Sequence, residues 1–172
     1  MSIVTADLHR ALLLALGDCV TWHSSDESKP IHIDLSTPIQ LRLQAYMYSL
    51  VDGGKKRKNE FKAVLRVPGQ RVGDYGSFEH SRDRLTLLLA YRSDLDVFVF
   101  WDAVLHPRFK NGGNVQVKGT TVNAAAALGW ATQERPLSSS GVIEHVIACQ
   151  SWNLLEAITE RVHTLGGSQP SA

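Results

Sequence analysis

A loop of mixed imidazole, aromatic and basic side chains follows the most apolar part of the chain. Residues 85–91 and 97–101 are nearly unbroken apolar runs joined by a polar turn, which is typical of buried strands. The loop sequence His106-Pro107-Arg108-Phe109-Lys110 comes shortly after them. Because binding residues often lie on loops that a rigid sheet holds in place, we expect this loop to carry the function.

The chemistry of this loop favours contact with a soft, weakly hydrated anion. His106, Pro107 and Phe109 offer polarisable surface, and Arg108 and Lys110 offer charge. A sulfur atom on a phosphate is larger and a poorer hydrogen-bond acceptor than oxygen, so a dry concavity there would favour it: oxygen would lose its hydration without replacement. The neighbouring cations would still neutralise the phosphate. From the residues alone, an exposed His-Pro turn is usually a simple turn without a binding role.

A second pattern suggests metal-dependent hydrolysis. Asp96 or Asp102, followed by Gln116-Val117-Lys118, resembles the acid and acid-x-lysine arrangement of restriction nucleases. One carboxylate and a second oxygen would hold a divalent ion, and Lys118 would orient the water. A single acid with an amide is a poor ligand set for Mg²⁺, which prefers carboxylates, so ordinary polar residues at a strand edge explain the pattern better.

The chain as a whole has the composition of one globular domain. It has 172 residues, of which 44% are hydrophobic and 20% charged, enough for a substantial core. No apolar run approaches the roughly 20 residues that span a bilayer, the N-terminus lacks a basic start, and the two cysteines lack metal-ligand spacing. We therefore expect a cytoplasmic, reduced protein with a domain over residues 1–165 and a linker over residues 166–172.

Charge is distributed unevenly although the net charge is only +1. Basic residues concentrate between positions 55 and 118, whereas many acids lie outside that segment. Such a face can bind phosphates locally, although solvated strand edges and loops would look the same. The basic residues of this segment that we single out are Lys55, Lys56, Arg57, Lys58, Arg66, Arg71, Arg82, Arg84, Arg108, Lys110 and Lys118.

Periodicity predicts an α+β fold, a mostly antiparallel sheet of five to six strands flanked by helices. We expect residues 38–50 and 60–67 to form a hairpin with a basic tip, and Trp152 to lie on the buried stripe of the last helix. Residues 18–38 and 135–141 are expected to be irregular. The predicted elements are helices over 3–16, 79–84, 120–129 and 151–165, and strands over 38–50, 60–67, 85–91, 97–101, 114–118 and 142–148.

Six short stretches between about residues 38 and 120 carry a family resemblance. They are YMY at 46–48, EFK at 60–62, PGQ at 68–70, DVFVFWDA at 96–103, HP at 106–107 and NVQV at 114–117. Together they resemble the sulfur-binding domain, the N-terminal module of McrA-like type IV restriction endonucleases that recognise phosphorothioate-modified DNA.

The resemblance implies a module that reads phosphorothioated double-stranded DNA without cutting it and without a cofactor or metal. Cleavage would belong to a downstream HNH nuclease of the full-length protein. His106 and Pro107 match the family's sulfur-lining pair, with Phe109 and Lys110 beside them. The implied phosphate contacts are Arg57, Arg71, Arg108, Lys110 and Lys118, and the implied contacts to base edges are Gln70, Tyr75 and Ser77. The nuclease above, and a DNA- or protein-binding module blind to sulfur, stay open as alternatives.

Overall fold

A computed structural model of the chain describes residues 4–138 and 140–166. Its helices are α1 (Thr5–Leu16), α2 (Gly119–Leu128) and α3 (Leu154–His163). Its strands are β1 (Val20–His23), β2 (Ile31–Leu35), β3 (Leu41–Ser49), β4 (Val51–Asp52), β5 (Glu60–Val64), β6 (Tyr75–Gly76), β7 (Leu85–Arg92), β8 (Val97–Trp101), β9 (Phe109–Lys110), β10 (Asn114–Lys118), β11 (Trp130–Pro136) and β12 (Ile143–Gln150). No helix of the described chain is long and apolar enough to cross a membrane.

The main sheet contains seven strands in the order β1-β2-β3-β7-β8-β12-β11. Every neighbouring pair is antiparallel except β3 and β7, which are parallel. The predicted hairpin of β7 and β8 lies at the centre, with Ala90 opposite Val99. The α+β fold with a mostly antiparallel sheet flanked by helices is therefore confirmed, with one strand more than the upper prediction.

Both faces of the main sheet are covered, which explains the continuous apolar runs. Met47 and Leu89 belong to a core that includes the buried sides of α1 and α3. Their neighbours Tyr46 and Leu88 belong to a second core, formed with α2 and a three-stranded sheet of order β10-β5-β4. The molecule thus has helices on one face and a small sheet with one helix on the other.

The predicted hairpin between residues 38–50 and 60–67 is wrong. β3 pairs with β2 and β7 in the main sheet, whereas β5 pairs with β4 and β10 in the small sheet. β3 has six consecutive buried residues, so both of its faces need covering and a central position satisfies them. Gln44, Tyr46 and Tyr48 alternate with apolar residues, a pattern that also suits a strand with one exposed face, but all three are buried here.

Three other elements differ from the predictions. Residues 18–38 contain β1 and β2, since Ile31, Ile33 and Leu35 are buried with polar residues between them, and β11 extends into the predicted loop over 135–141. Residues 79–84 are not helical. Trp152 is 70% exposed, because it lies in the 3-10 turn that precedes α3. The predicted linker lies outside the described residues after position 166.

Candidate nucleic-acid interface

A two-residue strand pair brings the loop over residues 68–77, which contains three glycines, against the loop after His106. β6 and β9 are antiparallel, with Tyr75 opposite Lys110. The guanidinium carbon of Arg108 lies 3.7 Å from the centroid of the Tyr75 ring, and Tyr75 is 64% exposed. We call the exposed set Tyr75, Arg108 and Lys110 the Tyr75 patch. It unites residues that the sequence placed in two separate loops.

The Tyr75 patch has an ordered base. The ring of Phe109 packs against that of Phe78 with 4.6 Å between centroids. Buried Asn111 joins the two loops, because its Oδ1 accepts from Val67 N at 3.1 Å and its Nδ2 donates to Gln70 O at 3.0 Å. Its backbone N also donates to Asp74 O at 2.7 Å. A buried polar side chain satisfied in this way holds both loops in one arrangement.

Gly76 permits the close approach of these loops. A Cβ at this position would lie 3.3 Å from Cε2 of Phe109 and would overlap the carboxamide of Gln70. Gln70 therefore packs inward beside Gly76 with its Oε1 buried, while Arg71 and Ser77 are exposed on either side of this segment. Of the three residues predicted to read bases, Tyr75 and Ser77 are exposed and Gln70 is partly buried.

His106 occupies a different environment from its neighbours in the loop. Its Nε2 lies 2.6 Å from Oε2 of Glu144, and its side chain is 15% exposed. Because an ionised carboxylate can only accept hydrogen bonds, Nε2 is the donor in this pair. Pro107 and Arg108, by contrast, are exposed. The imidazole is thus hydrogen-bonded to a buried carboxylate through one nitrogen, and the exposed part of the loop begins at Pro107.

Beneath His106 lies what we call the buried charge network: Asp102, Glu144 and Arg161. All three are fully buried. Oε2 of Glu144 accepts from Asp102 N at 3.1 Å, and Nη2 of Arg161 lies 3.7 Å from Oδ2 of Asp102. Burial lowers the pKa of Arg161, and the nearby Asp102 and Glu144 raise it. Such groups remain charged inside a protein only when they are paired.

The remaining predicted phosphate contacts, Arg57 and Lys118, form a second group. Arg57 donates through Nη1 to Oε1 of Gln116, and Lys118 ends β10 opposite Glu60. The other end of β10, at Asn114, adjoins the loop of the Tyr75 patch, because the neighbouring Gly113 N donates to Lys110 O at 2.7 Å. The strand itself spans about 13 Å at roughly 3.3 Å per residue. Arg135 donates to Gln116 O, in the middle of this strand, at 2.7 Å.

The nuclease arrangement is not supported by this geometry. Oδ2 of Asp96 accepts from Ser151 Oγ at 2.7 Å, and Oδ1 accepts from Tyr91 at 3.0 Å. Asp102, at the other end of β8, belongs to the buried charge network. Within residues 4–138 and 140–166, no cluster of three His, Cys, Asp or Glu side chains is placed to hold a metal ion. The two candidate aspartates therefore have structural partners.

The sequence analysis did not identify the buried residues that hold the binding loops in place. Glu144 interrupts the apolar strand β12, and Arg161 lies on the buried side of α3. A lone acid and a lone base in otherwise apolar patterns are a usable signal for a buried ion pair, because such charges are rarely buried alone. Asn111 and Phe78 gave no comparable signal, since both lie in segments of mixed composition.

Residues 41–158 match the family model of the Methylase-associated X1 domain, MTaX1. The match covers more than half of the chain, which therefore belongs to the Methylase-associated X1 family. No curated protein and no solved structure matches the chain. The predicted connection to modification-dependent systems is confirmed at this coarser level, as a domain associated with methylase and restriction systems. The recognition of phosphorothioate stays a prediction.

Proposed function

We propose that this domain binds duplex DNA for a methylase-associated restriction system through the Tyr75 patch. The observation that carries the proposal is the pairing of β6 with β9, which aligns an exposed aromatic ring with two exposed cations. Lys and Arg side chains supply most of the affinity of proteins for DNA by neutralising phosphates. An arginine stacked on an aromatic face is also oriented before it meets a phosphate or base edge.

The second group extends the proposed interface. Lys118 lies at the end of β10 away from the loop of the Tyr75 patch, and the strand spans about 13 Å, roughly four base-pair steps at about 3.4 Å each. One duplex lying along this strand could therefore meet both groups, with Arg71 and Ser77 beside the first. Arg57 shares its guanidinium with Gln116 and Glu60, so we expect Lys118 to be the stronger phosphate contact of the second group.

The modification that this surface reads is proposed to be a phosphorothioate. The exposed ring of Pro107 and the methylene stem of Lys110 would contact the sulfur, and the cations of Arg108 and Lys110 would balance the phosphate charge. His106 would act by holding Pro107 in position through Glu144. This finer proposal rests on the resemblance of the HP pair to sulfur-binding domains and on the exposure of Pro107 beside two cations.

The test compares one duplex with and without a single Rp phosphorothioate, in several core sequences, by fluorescence anisotropy at physiological salt. Pro107→Ala should weaken binding of the modified duplex about tenfold, or 1.4 kcal/mol, and leave the unmodified duplex unchanged. Lys110→Ala should weaken both. If the unmodified duplex binds and the sulfur has no effect in any core, the sulfur proposal fails and DNA binding stands. Absence of binding to every duplex would refute both.

A further inference from the structure

A cavity of about 380 Å³ opens between the start of α1, the end of β3 and the small sheet. We call it the Lys29 cavity. Its size lies within the range of small-molecule sites. It is separate from the Tyr75 patch, with which it shares no residue. The residues that line it include Thr5, Lys29, Met47, Tyr48, Val64 and Arg66.

The charged residues of this cavity are both basic. Nζ of Lys29 lies 3.9 Å from the centroid of the Tyr48 ring, and Arg66 lies at the exposed rim. None of the lining residues in the described chain is acidic. Asp26, three positions before Lys29, instead pairs with Nε of Arg10 at 2.9 Å. The cavity therefore holds two like charges without a carboxylate between them.

The electrostatics of Lys29 agree with this geometry. Burial, and to a smaller extent the charge of Arg66, lower the pKa of Lys29 to about 8. Lys29 in turn contributes to the lowered pKa of buried His9, for which burial is the larger cause. An anion that binds in this partly desolvated cavity would reduce the repulsion between the two positive charges.

We propose that the Lys29 cavity binds the phosphate group of a small phosphomonoester, such as a mononucleotide. Lys29 and Arg66 would bind the dianionic phosphate from two sides, and the hydroxyl group of Thr5 offers a further donor. The apolar walls, which include Met47 and Val64, would take the organic part of the ligand. Two cations facing one cavity match the charge of a phosphate monoester better than that of a single carboxylate.

Calorimetric titration of the full chain with AMP, adenosine and inorganic phosphate tests the site. AMP should bind at least about tenfold more tightly than adenosine or phosphate alone. Lys29→Met should weaken AMP binding about tenfold, Lys29→Arg should retain it within about threefold, and the control Lys56→Met, in the exposed basic run, should leave it unchanged. Equal binding of adenosine and AMP would overturn the phosphate assignment, and equal binding of phosphate and AMP would overturn the role of the apolar walls.

A second readout in the unaltered protein keeps the test independent of folding defects. The side-chain resonances of Lys29, followed by NMR as pH is varied, should report a pKa near 8. Saturating AMP should raise that pKa, because a bound phosphate favours the ammonium form, and adenosine should leave it unchanged. A Lys29 pKa that does not move with AMP would overturn the proposal. So would the absence of AMP binding at millimolar concentration.

Discussion

The two halves of the loop after β8 differ in what their charges do. Asp102 and His106 turn into the protein and join Glu144 and Arg161 in the buried charge network. Arg108 and Lys110, only a few residues later, turn outward and join Tyr75. A single short segment therefore combines side chains whose removal should destabilise the domain with charges whose removal should affect only binding. Substitutions in the two halves should separate these roles.

The largest effect should come from Arg161→Met. Removing this cation breaks its buried ion pair with Asp102, and breaking a buried pair costs about 3–5 kcal/mol of unfolding free energy. Denaturant titration measures the loss. The control Arg10→Met removes an exposed arginine with surface ion pairs and should cost about 1 kcal/mol or less. Equal costs for the two variants would show that the buried network contributes no more than surface pairs do.

Lys29 extends the comparison with the buried charge network, because it is a partly buried cation in a cavity without a carboxylate. Its pKa falls on folding from the ordinary 10.5 to about 8, so between these pH values the unfolded chain binds more protons and stability rises with pH. The unfolding free energy of the wild type, relative to that of Lys29→Met, should increase by up to roughly 3 kcal/mol from pH 7.5 to 10.5.

Taking the difference between the wild type and Lys29→Met cancels the contributions of groups whose titration lowers stability as pH rises. Burial raises the pKa of Tyr91 and of Cys149 to about 12, and such acids destabilise the fold as pH rises above their unfolded values. Both contributions are common to the wild type and Lys29→Met. A pH-independent difference between the two proteins would show that folding does not perturb Lys29.

Glu144→Gln should have a smaller effect than Arg161→Met. The amide keeps the shape and can still accept from Asp102 N, but it loses the charge that faces His106 and Arg135. A weakened charged hydrogen bond costs about 1.5–3 kcal/mol. Denaturant titration gives this cost, and DNA binding by the folded variant should fall less than for Arg108→Ala. A larger fall in binding than in Arg108→Ala would place His106 within the interface itself.

Tyr75→Leu should have the smallest effect. The leucine retains apolar surface but removes the ring on which Arg108 stacks, a contact worth about 0.5–1 kcal/mol at an exposed position. We expect DNA affinity to fall by about threefold, with the stability of the domain unchanged. In the background of Arg108→Ala the same substitution should have less effect. Full additivity of the two losses in anisotropy measurements would show that the ring does not act through Arg108.

The central hairpin and the binding loops could be predicted from the sequence because their signals are local. Apolar runs identify β7 and β8, and turn residues bound the loops. The position of β3 could not be predicted, because its aromatic outward residues could face either solvent or a second layer. The contact that holds His106 against the core could not be predicted either, because its partner Glu144 is 38 positions away in the sequence. Local patterns do not specify such long-range partners.

The central claim is that the Tyr75 patch contacts DNA phosphates, and the salt dependence of binding tests it most directly. The affinity of one duplex should be measured at several salt concentrations for the wild type, Arg108→Ala and the charge-matched control Arg10→Ala. Loss of one phosphate contact should reduce the slope of log K against log salt by about 0.9 in Arg108→Ala, with no change in the control. An unchanged slope for Arg108→Ala would contradict the account.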